Sequence, residues 1–494
     1  MTAMAPISVN AEPASRLWLR GDVVPFAVIL LVVAATRGIW FGNPVADYDE
    51  QLYSFIGWRM QYGELPFVDW WDRKPFGLFA IFGVAHWLFG PGPLAYQVVA
   101  AGFALLSAWL TYRLALRLVG RASATLAAII QTVLLCAYAS YSAQSEVFFL
   151  PLMLGMALLL IDPEHPHFRR RALAAMLLGG IALQIKYTVL PQCAFFGLYA
   201  LWVEYRRGST LPYVAALGTA FAALGLAPTV AVALLYAATG GFDAFVFANF
   251  LSFFDRMPAP QGRWASEFWL GVAPLVIVAG GGIYAAFRMI RPEPFATWLF
   301  FAGWALASLA TAFLPSTVYL YYFAAVSAPF ALVGLPLLDG RGPLKLYPGL
   351  LLATGFVALL NLPDRHAESR LQTQAAEDLA RAIAPHVDAR GPCLWIFDGP
   401  TALYRMSESC VPTRLVYPDH LNNALEIKAL DVDQGDEVRR ILAMEPGAIV
   451  TADRPVTVQN EETTALVETA LAADYYESRS VELQDRVLTV WIRR

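Results

Sequence analysis

Apolar stretches of about 20 residues recur along most of this 494-residue chain, and no other feature restricts its fold as strongly. About 20 helical residues cross a hydrocarbon core about 30 Å thick. Charged residues make up only 15% of the chain, against about 25% in soluble domains. The chain is therefore predicted to be a polytopic α-helical membrane protein. The candidate spans are residues 23–41, 94–116, 122–141, 146–161, 172–186, 188–203, 213–238, 267–287, 294–313, 320–337 and 346–362.

One further apolar segment, residues 75–89, is shorter and ambiguous. The positive-inside rule can decide its placement, because basic residues collect on the cytoplasmic side. If this segment does not cross, every basic cluster is cytoplasmic; if it crosses, every cluster after the first lies outside. We therefore predict eleven spans, a cytoplasmic N-terminus, an external C-terminus and an interfacial or re-entrant 75–89. The clusters are Arg16/Arg20, Arg113/Arg117/Arg121, Arg169/Arg170/Arg171, Arg206/Arg207, Arg288/Arg291 and Arg341/Lys345.

The chain divides into three predicted parts. Residues 1–22 form a cytoplasmic N-terminus, and the first apolar run is a retained signal anchor, because no small-residue cleavage site follows it. Residues 23–363 form a transmembrane domain whose first outer loop is 42–93. Residues 364–494 are rich in Asp, Glu, Arg and Gln and are predicted to form a small domain on the extracytoplasmic side.

The polar C-terminal part alternates between helical and strand patterns, which predicts a small α/β layer domain. Cys393 and Cys410 lie in it, where a disulfide is chemically permitted; two buried thiols are the alternative. Cys136 and Cys193 lie in spans, and we expect them to be packing residues. The predicted strands are 393–398, 413–417, 448–453 and 487–492, and the predicted helices lie near 369–386, 399–408, 433–444 and 461–472.

Composition and motifs exclude several classes of protein. The net charge is −4 and no basic stripe occurs, so no nucleic-acid partner is expected. The four cysteines form no CxxC pair, which argues against a zinc or iron–sulfur site. No Walker A loop and no GxGxxG after a strand occur in the front half, so no nucleotide chemistry is indicated there.

The stretch "DYDEQLYSFIGWRMQYGELPFVDWWDRKPFG" (47–77) is too charged for a span and too aromatic for an ordinary solvated loop. Apolar residues from Asp49 onward recur at helical spacing, which predicts an amphipathic helix in the headgroup plane. Asp49 and Glu50 stand at its start, where the helix dipole favours carboxylates. They either cap this helix or take part in chemistry. The apolar positions are Leu52, Phe55, Ile56 and Met60.

Further charged residues are predicted to face the same outer compartment. Glu146 stands at the outer mouth of a span, where it either starts the next helix or acts in a site. Lys186 interrupts an apolar run, which costs about 3 kcal/mol without a partner unless the side chain snorkels. Arg256 and Arg263 are weaker candidates in the 239–266 loop. Other candidates are Arg73 and Lys74 before Pro75, and the rim tyrosines Tyr319, Tyr321 and Tyr322, whose alternative role is interfacial anchoring.

Carboxylates and cations on one outer face suit chemistry on an amphiphile that carries a phosphate. Such a molecule enters from the bilayer, and fixed cations stabilise the charge that develops on its phosphate. A carboxylate then removes a proton from an attacking hydroxyl or amine, and a positioned base of this kind contributes about 10²–10⁴-fold. The sequence therefore predicts a membrane enzyme whose active site lies in this outer loop.

The quoted loop resembles the first outer loop of the GT-C membrane glycosyltransferases, in the protein-O-mannosyltransferase and aminoarabinose-transferase branch. The similarity is carried by Asp49-Glu50, Tyr53, "GELPFVD" (63–69) and Lys74-Pro75. "SAQSEVF" around Glu146 resembles the acidic position of the second outer loop. "YLYYFAAVSAPFALV" resembles a late family segment, and the tail from "GPCLWIFDGP" resembles the small outer domain of bacterial members. The similarity covers most of the chain and is strongest at 47–90.

The resemblance implies a GT-C fold, about 11 transmembrane helices, and inverting transfer of a sugar from a polyprenyl-phosphate carrier. Asp49 would be the base with Glu50 in support, and Asp47 remains an alternative base. The implied donor-phosphate residues are Arg73, Lys74, Lys186, Tyr321 and Tyr322, and the implied acceptor- or sugar-orienting residues are Glu146, Asp47 and Arg256.

Three positions depart from the family pattern. The second proline of the family's Lys-Pro-Pro is Phe76, the histidine before the late tyrosine is Tyr321, and the usual Lys-Gly after the fifth span is Lys186-Tyr187. These departures bear on which sugar is transferred and on how the phosphate is bound, and not on the class of enzyme.

The expected partners are a polyprenyl-phosphate-sugar donor, membrane lipids, and an acceptor that is lipid, glycan or protein. The expected location is the bacterial inner membrane. No cofactor is expected, and dependence on a metal is left open because the residues form no tight ligand cluster. One alternative function is a transporter or flippase of a lipid-linked sugar, in which the same charges bind this molecule and release it without a reaction. Another is an outer-domain sensor or assembly subunit, which would not need the Asp-Glu/Lys-Pro loop.

Overall fold

The computed structural model describes residues 14–259, 266–315 and 317–494. Helices fill the first three quarters of the chain. They are α1 (Ala14–Arg37), α2 (Tyr48–Arg59), α3 (Phe76–Phe89), α4 (Pro93–Ala115), α5 (Arg121–Ala137), α6 (Ser145–Leu160), α7 (Phe168–Leu183), α8 (Leu190–Arg206), α9 (Leu211–Thr239), α10 (Phe242–Val246), α11 (Ser252–Asp255), α12 (Ser266–Arg288), α13 (Phe295–Phe313), α14 (Ser327–Val333), α15 (Leu335–Leu338), α16 (Tyr347–Leu359) and α17 (Leu362–Ile383).

The apolar helices support the prediction of a multi-pass membrane protein. Within the described ranges, five are long and apolar enough to cross a membrane, and shorter apolar helices accompany them. Each candidate span overlaps a helix, whereas the number that cross stays a prediction. The five are Gly21–Trp40, Pro93–Ala115, Leu211–Thr239, Phe268–Arg288 and Phe295–Phe313, and the shorter ones are Phe76–Phe89, Arg121–Ala137, Ser145–Leu160 and Leu320–Val333.

The tenth candidate span, 320–337, is not one continuous helix. It begins as a 3₁₀ helix over Leu320–Val326, continues as α14, and restarts as α15. Pro336 stands at the start of α15, where a missing N–H is tolerated. The proline therefore marks a new helix rather than the interior of an old one.

The ambiguous segment 75–89 forms α3. At 1.5 Å per residue its 14 residues extend about 21 Å, less than the hydrocarbon thickness. The helix packs against α2 and α4 and exposes Trp87, Leu88 and Phe89. This shape fits the predicted interfacial or re-entrant placement, which stays a prediction.

The C-terminal part contains one four-stranded sheet, ordered β1-β2-β4-β3. β1 and β2 are parallel, and the other neighbours are antiparallel. Strands predicted at 393–398, 448–453 and 487–492 are found. The elements are β1 (Leu394–Ile396), α18 (Ala402–Met406), α19 (Asp419–Asn422), α20 (Gln434–Ala443), β2 (Ala448–Ala452), α21 (Glu461–Asp474), β3 (Tyr475–Leu483) and β4 (Arg486–Arg493).

Two predictions for this part need correction. The strand predicted at 413–417 is not in the sheet; its Arg414 carbonyl accepts a hydrogen bond from the Trp71 backbone N–H, 3.1 Å away. The apolar residues here are buried against the outer loop, which explains the strand-like pattern. β3 was not predicted, because most of its side chains are exposed and polar.

Cys393 and Cys410 form a disulfide, which resolves the alternative left open by the sequence. Cys136 and Cys193 are free thiols within helices, as predicted. Trp71 of the outer loop packs in the same apolar cluster as Trp395 and Leu421. The core of the C-terminal part therefore includes a residue that lies only three positions before Lys74.

Candidate active site

The first turn of α2 is capped by Asp47. Its carboxylate accepts hydrogen bonds from the backbone N–H groups of Asp49 (3.0 Å) and Glu50 (3.4 Å), as helix N-caps do. Gln144 Nε2 donates to the same oxygen at 2.8 Å. Burial, and then the charges of Asp49 and Glu50, raise the pKa of Asp47 well above its usual range. Asp47 therefore fills the cap role, which leaves the Asp49 side chain available for chemistry.

Asp49 presents its carboxylate to the cation of the same loop. Lys74 Nζ lies 3.9 Å from Asp49 Oδ2, and the two side chains are 28% and 23% exposed. The Tyr53 hydroxyl donates to Oδ2 at 3.1 Å, and the Tyr417 hydroxyl donates to Oδ1 at 3.5 Å. Burial lowers the pKa of Lys74, but the charges of Asp49 and Asp72 outweigh it and raise the pKa overall. A proton acceptor thus stands beside a fixed cation.

Glu50 is fully buried and holds a neighbouring loop. Its Oε2 accepts a hydrogen bond from the Ala143 backbone N–H at 2.8 Å, and its Oε1 accepts one from the Tyr96 hydroxyl at 3.5 Å. Arg37 of α1 donates to carbonyl oxygens of the same loop, at Ser140 and Ser142. Burial raises the pKa of Glu50 to about 7. Glu50 therefore positions the loop that leads into α6.

Replacing Glu50 with glutamine is expected to change how stability depends on pH. The folded pKa of Glu50 is about 7, above the ordinary value of 4.5, so the wild-type protein loses stability as pH rises from about 4.5 to 7. Each pKa unit is worth about 1.4 kcal/mol, so the loss is on the order of 3 kcal/mol. Thermal unfolding of the purified protein at pH 5 and pH 8 should show a smaller difference for Glu50→Gln. An equal difference in both proteins would contradict this role.

Glu146 and Lys186 form an ion pair in the interior. Glu146 lies in the first turn of α6, and Lys186 lies in the break between α7 and α8. They are hydrogen-bonded to each other, and Ser145 Oγ donates to Glu146 Oε2 at 3.0 Å. The Lys186 ammonium lies 4.6 Å from the ring centroid of Tyr322 and 5.9 Å from that of Tyr321, within cation–π range. Lys186 is therefore buried with a partner rather than extended toward the membrane surface.

Arg73 and Arg256 share one carboxylate, which belongs to Glu426 of the C-terminal part. Arg73 makes two hydrogen bonds to it, one of them at 3.0 Å, and Arg256 Nε lies 2.7 Å from Glu426 Oε1. The Glu426 side chain is 2% exposed. The Arg73 guanidinium also lies over the Trp71 ring, 5.0 Å from its centroid. One buried acid therefore joins two loops of the membrane part.

The C-terminal residues near this cluster were not predicted. Burial, and then the charges of Glu426 and Asp398, raise the pKa of Asp419 to about 7. His420 packs edge-on against Trp71 at 4.7 Å. Burial, and then the Arg73 charge, lower the pKa of His420 far below its usual value. The clue in the sequence was two acids, Asp419 and Glu426, in the segment "VYPDHLNNALEIKAL" (416–430), which mixes polar and apolar residues.

The rim tyrosines connect the two groups of charges. Tyr321 and Tyr322 have ring centroids 4.5 Å apart, and Tyr319 lies 5.7 Å from Tyr322. Tyr319 also interacts with Arg256. Arg263 lies outside the described residues. The cluster brings together the predicted residues Asp47, Asp49, Arg73, Lys74, Glu146, Lys186, Arg256, Tyr321 and Tyr322, whereas Glu50 lies buried behind it.

Within the described ranges, no group of three or more His, Cys, Asp or Glu side chains could hold a metal ion. The cluster instead combines carboxylates with ammonium, guanidinium and phenol groups. Such a set can bind an anionic group and accept a proton.

Residues 73–232, less than half of the chain, match the family described as dolichyl-phosphate-mannose-protein mannosyltransferase. The fold is similar to that of ArnT from Cupriavidus metallidurans bound to undecaprenyl phosphate, with a TM-score of 0.60 and 17% identity over 97% of this chain and 98% of that chain. For the same protein in the apo state, the TM-score is 0.60 and the identity 16%, over 96% of this chain and 98% of that chain. No curated protein sequence matches the chain.

The shared fold and the matched segment both agree with the resemblance found in the sequence. The chain has the GT-C fold of ArnT, which confirms the fold that the resemblance implied. The matched segment begins at Arg73 and includes Lys74, Glu146 and Lys186.

Proposed function

We propose that this protein is an inverting glycosyltransferase that moves a sugar from a polyprenyl-phosphate carrier to a lipid, glycan or protein acceptor. One observation carries the proposal: the Asp49 carboxylate lies 3.9 Å from the Lys74 ammonium in a partly exposed cluster. A purely structural role for the Asp49–Lys74 pair does not explain why a second acid–lysine pair, Glu146 and Lys186, lies in the same cluster. The similar fold of ArnT, in a structure bound to undecaprenyl phosphate, supports a carrier of this kind.

The proposed setting is the periplasmic face of a bacterial inner membrane. The N-terminus would be cytoplasmic, the chain would cross eleven times, and residues 364–494 would form a periplasmic α/β domain. The four-stranded sheet supports the last part. The long apolar helices support the membrane setting, and the positive-inside pattern supports the orientation.

The proposed reaction is a single displacement at the anomeric carbon of the sugar. Lys74 holds the carrier phosphate, which leaves with the electron pair of the broken carbon–oxygen bond. The acceptor oxygen or nitrogen attacks from the opposite face, so the configuration is inverted. Asp49 takes the proton that the acceptor loses, and Tyr53 and Tyr417 hold its carboxylate in place through their hydroxyl groups. Glu146, Arg256 and Asp47 would orient the acceptor or the sugar, Asp47 through the carboxyl oxygen that does not cap α2.

Lys186 and Arg73 would share the phosphate charge with Lys74. Lys186 is held by Glu146 against Tyr321 and Tyr322. Arg73 and Arg256 are held by Glu426. Pre-positioned cations of this kind need little reorganisation when charge develops on the leaving phosphate.

Lys74→Gln tests the donor side of the proposal. A charge-assisted hydrogen bond contributes about 1.5–3 kcal/mol, so the affinity for the carrier should fall by about ten- to a hundredfold. Purified protein would be incubated with a radiolabelled polyprenyl-phosphate sugar and a membrane extract, with binding and label transfer followed together. Lys428→Gln, an exposed lysine of the C-terminal part, is the control and should behave as wild type.

Two outcomes would count against the proposal. If wild-type protein never moves label from the carrier but moves labelled carrier across vesicles, the protein is a transporter. If Lys74→Gln binds carrier as well as the Lys428→Gln control, the Asp49–Lys74 pair has another role.

A further inference from the structure

A second recess lies at the opposite end of the helix bundle from the Asp49–Lys74 pair. Its volume is about 580 Å³, and it is lined by residues 120–123, 339–341, 345–347 and 350. α5 begins at Arg121, and its 17 residues extend about 25 Å toward the loop that Glu50 holds. The length of one helix therefore separates the recess from the catalytic cluster.

Three cations line this recess, and two of them are fixed from behind. Asp22 lies 3.1 Å from Arg121 Nε, and Asp339 lies 2.7 Å from Arg341 Nη2. Both acids are buried, whereas the arginine side chains are 51% and 62% exposed. Lys345 lines the recess as well and has no ion pair within the part of the chain that the structure describes. Of the charged residues that line the recess, three are basic and one, Asp339, is acidic. Asp22 and Glu293 act on the two arginines from outside the lining, so the lining itself is positive.

The outer wall of the recess is apolar. It is formed by the start of α16, where Tyr347 is 74% exposed and Leu350 is also exposed. Leu344 and Leu351 continue the exposed apolar surface on either side. A positive opening beside an apolar helix face matches a molecule with an anionic head and hydrocarbon chains.

We propose that this recess binds the headgroup of an anionic phospholipid, with its acyl chains along α16. The phosphate oxygens would accept hydrogen bonds from Lys345 and from the exposed sides of the two guanidiniums, whose orientation the buried acids fix. A bound lipid would join the N-terminal end of α5 to the 339–341 turn and the start of α16, and would stabilise this end of the bundle. The charge surplus selects an anionic lipid over a zwitterionic one.

The test is thermal unfolding of the purified protein with dioctanoyl phosphatidylglycerol, dioctanoyl phosphatidylcholine or inorganic phosphate. Phosphatidylglycerol should raise the melting temperature in a saturable way, because a ligand of the folded state stabilises it. Lys345→Glu should weaken the apparent affinity for it by about tenfold or more. Lys345→Gln should weaken this affinity less, and it replaces Lys345→Glu in the test if the charge reversal prevents folding. Neither phosphatidylcholine nor inorganic phosphate should have a comparable effect.

The matched control is Arg206→Glu, which reverses an exposed cation of another basic cluster outside the recess. It should bind phosphatidylglycerol as wild type does. Equal weakening by Arg206→Glu and Lys345→Glu would mean that general surface charge, not the recess, attracts the lipid. An equal shift with phosphatidylcholine, or with inorganic phosphate alone, would also overturn the proposal, as would a wild-type shift that both Lys345 variants retain in full.

Discussion

Replacing Asp49 with asparagine is expected to lower the rate of glycosyl transfer by about 10²–10⁴-fold, the usual contribution of a positioned general base. Asparagine has nearly the same shape, and its side-chain oxygen can still accept a hydrogen bond from Tyr53 or Tyr417, which hold Asp49 in the wild-type protein. The fold and the affinity for the carrier should therefore persist. The assay is transfer of label from a polyprenyl-phosphate sugar, with carrier binding measured in parallel.

Asp47→Asn is the matched variant that decides between the two candidate bases. Asparagine caps helices about as well as aspartate, so the hydrogen bonds from Asp47 to the first turn of α2 should survive. We expect this variant to keep most of its transfer activity. If Asp47→Asn loses transfer while Asp49→Asn retains it, Asp47 is the base. If both variants turn over at wild-type rate, neither carboxylate removes the proton.

Sequence patterns predicted where the apolar helices lie, because apolar runs are read directly from single segments, whereas the number that cross the membrane stays a prediction. The same reasoning marked Glu146 and Lys186 as polar residues in costly positions. It did not pair them, because the two residues are 40 positions apart and belong to different helices. Packing of α6 against α7 brings them together, and no local pattern contains that information.

The C-terminal part shows why local patterns fail where two regions meet. "TRLVY" (413–417) has the composition of a strand, but its apolar residues are buried against the outer loop. The Arg414 carbonyl accepts a hydrogen bond from the Trp71 backbone N–H and not from a neighbouring strand. β3 has mostly exposed polar side chains, so hydrophobic periodicity gave no signal. Glu426 was missed for a related reason. Its partners, Arg73 and Arg256, lie in two distant loops, and Arg73 is 353 positions away in the sequence.

Glu426→Gln is expected to lower the free energy of unfolding by about 3 kcal/mol, because removing one partner of a buried ion pair leaves charge without compensation. Here two guanidiniums, of Arg73 and Arg256, would face each other without their carboxylate. Both arginines keep some solvent contact, which places the effect at the lower end of the usual range of about 3–5 kcal/mol. Thermal and denaturant unfolding of the purified protein measure it.

Transfer activity should fall with this stability, since Glu426 fixes Arg73 next to Lys74 and joins the C-terminal part to the outer loop. Glu437→Gln is the control: it removes an acid of the same part that pairs with the half-exposed Arg440, and such pairs contribute about 1 kcal/mol or less. At a temperature where Glu426→Gln is still folded, a rate loss with unchanged carrier affinity would mean that the two arginines position the reacting groups. A variant as stable and as active as Glu437→Gln would show that the shared carboxylate is dispensable, and that the arginines find their places without it.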